Sequence, residues 1–290
     1  MTEKPVTDLP PKGVFEALAR EYPVLYLNPD RDDREAFRSV VLRGADPPGK
    51  SLSHYRGSSF DAVETVETPV GPVRVATLGD RHDFELVMRG LMAAKDGPRA
   101  PIPPSQGAAM LTVFNWPRIR AHLAAFPPEE QGAAFNRFTA KKENYTDSLI
   151  VLSRGPYSGV PAAALSLTEK EWLRDSDTIR RFHEITHVIC HRQYPDRIDP
   201  VRDELIADAV GLYAAYGAFD PEKERLFLGL RDGRYTGGRL ENYTDRPEAL
   251  AEKVDAAIRR IAEIIAGLGG QEQVSCLPFD LIPPLMETDF

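Results

Sequence analysis

The stretch RRFHEITHVICH, residues 180–191, carries two histidines four positions apart, with a glutamate directly after the first. On an α-helix, residues i and i+4 lie about 40° apart around the axis. His183 and His187 would therefore point the same way and could hold one metal ion. Glu184 lies about 100° from His183 around the axis, where it can approach a water on that ion without being a ligand. The pattern is H-E-x-x-H.

The residues around this pattern predict a helix with an apolar side and a histidine side. Residues of the segment 175–177 offer a side chain that could cap the start of the helix. The pattern alone also fits an ordinary amphipathic helix with two solvated histidines. The apolar side is formed by Ile179, Phe182, Ile185 and Ile189, and the other side by His183, His187 and His191.

A second helix is predicted in DPVRDELIADAVGLYAAYG, residues 199–217. Asp199 is a capping residue, and Pro200 suits the first turn. Glu204 and Asp208 are four positions apart and share a face with three small residues. Small residues let two helices approach closely, so a carboxylate on this face could serve as a third metal ligand. The small residues are Ala207, Gly211 and Ala215.

The two patterns together resemble the gluzincin superfamily of zinc metallopeptidases. Glu204 follows His187 by seventeen positions, a spacing similar to that of thermolysin-like and aminopeptidase gluzincins. The resemblance implies one Zn²⁺ per chain, held by His183, His187 and Glu204, with Glu184 as the general base. It also implies that Asp208 orients a ligand histidine, His183. His191 and Asp203 are the competing candidates for the third ligand.

The resemblance also implies a donor that stabilises the developing oxyanion, and a strand that precedes the first helix. Five side chains are candidates for this donor, and the sequence does not choose among them. SLIVLS, residues 148–153, reads as the strand, along whose edge a peptide could lie antiparallel. Glu143, before it, faintly resembles a glutamate that holds a substrate's amino terminus in zinc aminopeptidases. The donor candidates are Tyr194, Tyr213, Tyr235, Arg239 and Tyr243.

Composition restricts the class of protein. The net charge of −8 argues against a nucleic-acid partner. The start of the chain is polar and proline-rich and shows no signal peptide, and no run of eighteen apolar residues predicts a membrane span. Cys190 and Cys276 do not have metal-site spacing, which favours a cytoplasmic location. The oligomeric state is not indicated.

The segments predict an α+β protein in two parts. Residues 1–100 form a smaller α/β region of unknown role, with helices in VFEALAREY and DFELVMRGLMAAK and strands in VLYL and VRVATL. The proline- and glycine-rich segment 96–107 is the predicted boundary. Residues 106–290 form a zincin-like metalloprotease domain, with a strand, the two site helices, a long amphipathic helix ending at Gly269 and an apolar tail that should dock.

The expected function is zinc-dependent hydrolysis of an amide bond in a peptide or in a small molecule. The first alternative is a zinc enzyme of the same fold that acts on a non-peptide substrate, such as a biosynthetic intermediate. The second is a non-catalytic binding protein that has kept the scaffold. Glu184 argues against the second alternative, because a protein that only binds has no use for an acid beside the ion.

Overall fold

Two units of similar size make up the α+β chain. The computed structural model describes residues 13–31, 33–93, 101–103, 106–269 and 277–289. The first unit comprises the described residues among 1–66 and 73–153, and the second comprises 67–72 and the described residues from 154 onward. Apart from the segment 67–72, the division falls at 153/154. The predicted boundary segment 96–107 lies partly outside the described residues.

In its described residues, the first unit contains a four-stranded mixed sheet and five α-helices. The strands are β1 (Ala62–Val66), β2 (Val73–Leu78), β3 (Ala108–Phe114) and β4 (Thr146–Ser153), in the order β1-β2-β4-β3. Only the β2–β4 pair is parallel. The helices are α1 (Gly13–Glu21), α2 (Arg34–Arg43), α3 (Arg81–Leu91), α4 (Trp116–Leu123) and α5 (Pro128–Thr139).

The strand predicted in residues 148–153 is confirmed as β4, but its expected role as a peptide-binding edge is wrong. β4 pairs with β2 on one side and with β3 on the other. Both rows of its backbone hydrogen-bonding groups are therefore occupied, so a peptide cannot be added as a further strand. Its central position also explains the continuous apolar run Leu149–Leu152, which is buried.

The other segments predicted in the first unit are confirmed except one. α1, α3 and β2 lie where the sequence placed them, and together with β4 they build one apolar core around residues such as Phe15 and Phe84. The exception is VLYL, predicted as a strand, which forms a 3₁₀ turn at Pro23–Tyr26. Pro23 accounts for this difference, because its fixed φ suits a helical turn and it has no N–H to donate to a sheet.

The second unit is mainly helical, and its longest helix carries H-E-x-x-H. This helix, α6 (Glu169–Gln193), begins earlier than predicted. Thr168 caps it in a reciprocal capping box with Glu171, whereas Asp175 and Ser176 are buried inside the helix. The predicted cap in 175–177 is therefore wrong. The remaining elements are α7 (Pro200–Tyr216), α8 (Pro221–Leu228), the short strands β5 (Leu230–Arg231) and β6 (Arg234–Tyr235), α9 (Pro247–Gly269) and α10 (Ile282–Glu287).

Close packing of α7 on α6 brings the second predicted helix to the first. Asp199 caps α7 by accepting a hydrogen bond from the backbone N–H of Arg202 at 3.1 Å, as predicted. A Cβ atom added at Gly211 would lie 2.7 Å from the backbone oxygen of Ile179. The absence of a side chain at Gly211 thus allows the two backbones to approach within a distance that any other residue would prevent.

α9 and the tail complete the second unit. The predicted stripe of α9 is buried at Val254, Ile258, Ile261 and Ile265. The tail docks as expected, because Leu281, Ile282, Leu285 and Met286 are all buried. Arg202 of α7 holds it by donating to the backbone oxygens of Leu285, Met286 and Thr288 at 2.7–3.1 Å. Among the described residues, the helices include none whose length and apolar character would suit a membrane span.

We expect Gly211→Ala to destabilise the protein by about 1–3 kcal/mol, because the new methyl group must push the backbone of α6 and not a flexible side chain. Gly132→Ala in α5 is the matched control, since nothing lies within 4 Å of its added Cβ. An exposed helical glycine changed to alanine should instead stabilise by up to about 1 kcal/mol. Denaturant unfolding measures the change in the free energy of unfolding for both variants. Equal changes in the two variants would contradict the close approach of α6 and α7 at Gly211.

Candidate metal centre

Three side chains from α6 and α7 converge on one point. The Nε2 atoms of His183 and His187 are 3.0 Å apart. Glu204 brings its Oε2 to 3.3 Å from His183 Nε2 and its Oε1 to 3.5 Å from His187 Nε2. One ligand atom from each residue lies within 4.8 Å of the other two. The three residues that the sequence singled out as ligands therefore form a group that could hold a metal ion.

Two further carboxylates fix the orientation of the histidine rings. Asp208 Oδ1 lies 2.7 Å from His183 Nδ1, and Asp203 Oδ2 lies 2.7 Å from His187 Nδ1. A carboxylate oxygen accepts a hydrogen bond from a nitrogen that carries a proton. Both rings are therefore assigned a proton on Nδ1. Each Nε2 then presents its lone pair to the common point, which is the tautomer that a metal ligand requires.

This arrangement fits a bound cation. Two Nε2 lone pairs that face each other at 3.0 Å repel unless a positive charge lies between them. Glu204 Oε2 is buried and accepts no hydrogen bond from the described residues, although buried acceptors are nearly always satisfied. Two imidazoles and one carboxylate form a donor set typical of catalytic zinc, which keeps a fourth position open.

Electrostatics keep Glu204 in the form that binds a cation. Burial opposes its ionisation, but in the absence of an ion His183 and His187 in their protonated forms, with Arg239, lower the pKa of Glu204 to about 2. The pKa of Asp203 is also lowered, because its contacts with His187 and His191 outweigh its burial. Both carboxylates are therefore charged at neutral pH.

A buried network fixes Asp208 in turn. Tyr157 donates to Asp208 Oδ1 at 2.5 Å and receives a hydrogen bond from Arg239 Nη1 at 2.6 Å. Arg239 also pairs with Asp208 Oδ2 through its other terminal nitrogen. Burial raises the pKa of Tyr157, whereas Tyr157, Tyr243 and Glu204 raise that of Arg239 against the effect of its burial. Tyr157 thus stays protonated and Arg239 stays charged.

Glu184 has surroundings different from those of the ligand carboxylate. It follows His183 on α6 and is partly exposed, whereas His183 is 5 % exposed. Arg180, one turn before it, donates to the backbone oxygens of Gly155 and Pro156 at 3.1 and 3.2 Å. Arg180 also interacts electrostatically with Glu184. A carboxylate with access to solvent beside the ligand group can accept a proton from water, as a general base does.

Asp203 contributes to the site in a way that the sequence did not lead us to predict. We considered it only as a competing ligand, about 100° from the face of Glu204. In the structure it accepts from His187 and also lies 3.0 Å from His191 Nε2 through the same oxygen. The signal was present in the row of histidines at 183, 187 and 191, since three imidazoles on one helix need acceptors on the helix packed against them.

The other predicted residues divide into those at the site and those away from it. Arg239 belongs to the site through its ion pair with Asp208, and Tyr243 through its electrostatic interaction with Glu204. The hydroxyl of Tyr235 instead lies 2.7 Å from Glu241 Oε2 and 2.9 Å from the backbone oxygen of Gly238. In the described part of the chain no hydrogen bond joins Tyr194 or Tyr213 to the ligand group. Glu143 lies in the first unit, in the 3₁₀ turn Lys142–Asn144.

Glu224 of α8 is a further carboxyl that the sequence analysis did not single out. It is 0 % exposed, and neither of its oxygens has a hydrogen-bond partner among the described residues. Burial, together with the charge of Glu204, raises its pKa well above the ordinary value. The sequence did carry a signal, because Glu224 shares a helical face with Phe227 and Leu228, which are both buried.

Comparison with known proteins gives one result. The model of a family described as "Family of unknown function (DUF7005)" matches residues 7–271. No curated protein and no solved structure matches the chain.

We expect three carboxylate variants to differ in their affinity for zinc. Glu204→Ala should remove most of the binding, because it deletes a direct ligand. Asp208→Asn and Asp203→Asn should each weaken binding by ~10- to 100-fold, since they disturb the proton on Nδ1 of one ring. Glu252→Gln, at an exposed acid of α9, is the control. Competition with a chelator of known affinity measures all four, and unchanged binding in Asp203→Asn would contradict the support assigned to Asp203.

We expect Glu224→Gln to become more stable relative to the wild type as pH rises above 4.5. Below that pH, Glu224 is protonated in both states. Above it, the unfolded chain ionises while the folded chain keeps its proton, so the wild type loses about 1.4 kcal/mol per pH unit until the raised folded pKa is reached. Burial of the amide that replaces the carboxyl group changes the free energy of unfolding of Glu224→Gln by an amount that does not vary with pH. The free energy of unfolding of both proteins, measured across this pH range, gives the slope for each. Parallel curves of this free energy against pH would contradict a neutral Glu224 in the folded protein.

Proposed function

We propose that this chain, which belongs to that family of unknown function, is a zinc-dependent hydrolase that cleaves an amide bond in a peptide or in a small molecule. The observation that carries the proposal is the convergence of His183, His187 and Glu204, with Glu184 beside them on the same helix. When bound, zinc would supply Lewis-acid polarisation of the substrate carbonyl and activation of water.

Glu184 is the proposed general base. It would accept a proton from the attacking water and deliver that proton to the leaving amine, as a positioned carboxylate can. Its partial exposure supports this role, because the water and the substrate must both reach it. His183 and His187 are already oriented by Asp208 and Asp203, so little rearrangement of the rings would be needed when the ion binds.

Tyr243 is the proposed donor to the developing oxyanion. It interacts electrostatically with Glu204 and with the positive charge of Arg239, which places it close to the ligand group. Arg239 is held by Tyr157 and Asp208 through its two terminal nitrogens. Arg239 would hold Asp208 and, through it, His183.

The substrate would reach the ligand group from the solvent. The side chains of His187 and Glu204 remain 12 % and 17 % exposed, so the ligand group is not sealed. The proposed location is the cytoplasm, in agreement with a free, buried Cys190; Cys276 lies outside the described residues. Residues 13–93 suggest no particular substrate, and a narrow range, such as one small peptide or biosynthetic intermediate, is part of the proposal.

We expect Glu184→Gln to keep its zinc while losing turnover by ~100-fold or more, the scale of lost general-base assistance. Tyr243→Phe should also retain zinc and should lower kcat by ~10²–10³-fold, as the loss of an oxyanion donor does. A zinc-dependent screen of fluorogenic peptide libraries and simple amides identifies a substrate, and elemental analysis measures the metal in each variant.

The exposed Glu252→Gln is again the control and should retain full turnover. Normal turnover by Glu184→Gln on the identified substrate would exclude the mechanism. The absence of any transition metal from the purified protein, even after zinc is supplied, would exclude the function altogether.

A further inference from the structure

We propose a second, outer metal site formed by His191 and Asp203 beside His187 Nδ1. One ligand atom from each of these three residues lies within 4.8 Å of the other two. Asp203 Oδ2 is 3.0 Å from His191 Nε2 and 2.7 Å from His187 Nδ1. This group lies on the opposite side of the His187 ring from the group with Glu204, because it uses the other ring nitrogen.

The state of Asp203 provides the second observation. The residue is 7 % exposed, and its Oδ1 is buried without a hydrogen-bond partner among the described residues. A charged carboxylate seldom leaves a buried oxygen unsatisfied. Its Oδ2, in contrast, already faces two imidazoles. Asp203 therefore has coordinating capacity that hydrogen bonds to the two histidines do not use.

Solvent exposure distinguishes the outer group, with His191 and Asp203, from the inner group, with His183 and Glu204. The side chain of His191 is 44 % exposed, compared with 6 % for His183. An ion arriving from solvent therefore meets His191 first and reaches Asp203 behind it. The inner group lies deeper along the same row of histidines, which share one face of α6.

The donor atoms define the class of ion. Imidazole nitrogen with a carboxylate oxygen suits Zn²⁺, Co²⁺, Ni²⁺ or Cu²⁺, whereas Mg²⁺ and Ca²⁺ prefer oxygen ligands alone. A ring that bound two ions would have to lose both of its protons. When the inner site is filled, the outer ion is therefore held by His191, Asp203 and water, and it binds more weakly.

Occupation of the outer site has a consequence for the inner one. An ion on Asp203 competes for the carboxylate that holds the Nδ1 proton of His187. Excess metal should therefore weaken the support of the inner site instead of strengthening it. The inference concerns metal binding alone and does not depend on the proposed hydrolase activity.

Metal stoichiometry tests the proposal directly. The full chain is stripped with a chelator and dialysed against a series of buffered Zn²⁺ concentrations, and the bound metal is measured by elemental analysis. The wild type should bind a first ion tightly and a second ion at higher free Zn²⁺. His191→Ala should lose the second ion and keep the first, because His191 is not part of the inner group.

Two controls keep the outcomes distinct. His82→Ala removes a histidine of α3, which is distant in sequence from the proposed site. This variant should still bind two ions. Glu204→Ala should lose the tight ion and keep the one that depends on His191, which separates failure of the inner site from failure of the outer one. A wild type that saturates at one ion, a second ion that persists in His191→Ala, or a second ion lost in His82→Ala would each overturn the proposal.

Discussion

Two hydrogen bonds between α6 and α7, from His183 to Asp208 and from His187 to Asp203, determine what the rest of the site can do. Each bond places a proton on Nδ1 and so directs the lone pair of Nε2 to a common point. Both bonds are 2.7 Å long, and both require the two helices to lie close together. Gly211 permits that approach, because even a methyl group there would meet the backbone of Ile179.

Gathering so many charged groups in one buried place is costly unless each group has a partner. Asp208 is 0 % exposed, and it is balanced by Arg239, Tyr157 and His183. Asp203 is balanced by two histidines. The balance is incomplete at three carboxyl groups: Asp203 and Glu204 each keep one buried oxygen without a hydrogen-bond partner among the described residues, and Glu224, with neither oxygen satisfied, remains neutral. Unsatisfied polar groups in an otherwise well-packed unit are typical of functional sites, where stability is given up for chemistry.

The sequence predicted the elements that have strong local signals. The spacing of His183 and His187, the cap at Asp199 and the stripe of α9 each depend on a period or a cap that can be read within one helix. Predictions failed where a local signal was overlooked or where the deciding partner was distant in the chain. Pro23 converted an apolar run into a turn, and the capping box of Thr168 moved the start of α6. The inner position of β4 depends on β2, which lies some seventy residues earlier in the chain.

The residues of the site also divide into those with a local sequence signal and those without one. The residues of H-E-x-x-H and Glu204 follow from spacing, whereas Tyr157 is a lone aromatic in a turn and carries no local signal. Arg239 was one of five candidates for a donor, and only the fold showed that it contacts Asp208. Asp203 was only a competing candidate for the third ligand, about 100° from Glu204 around α7. That angle is what lets it reach the far side of the His187 ring.

The contact between Arg202 and the tail has a consequence for synthesis of the chain on the ribosome. Arg202 immediately precedes Asp203 and Glu204, and its backbone partners begin 83 positions later at Leu285. At a translation rate of about 5–20 residues per second, α7 is exposed for roughly 4–17 seconds before those partners are made. During that interval Arg202 lacks the carbonyls that hold it in the finished protein. Until the tail arrives, α7 depends on its packing against α6, which is made first.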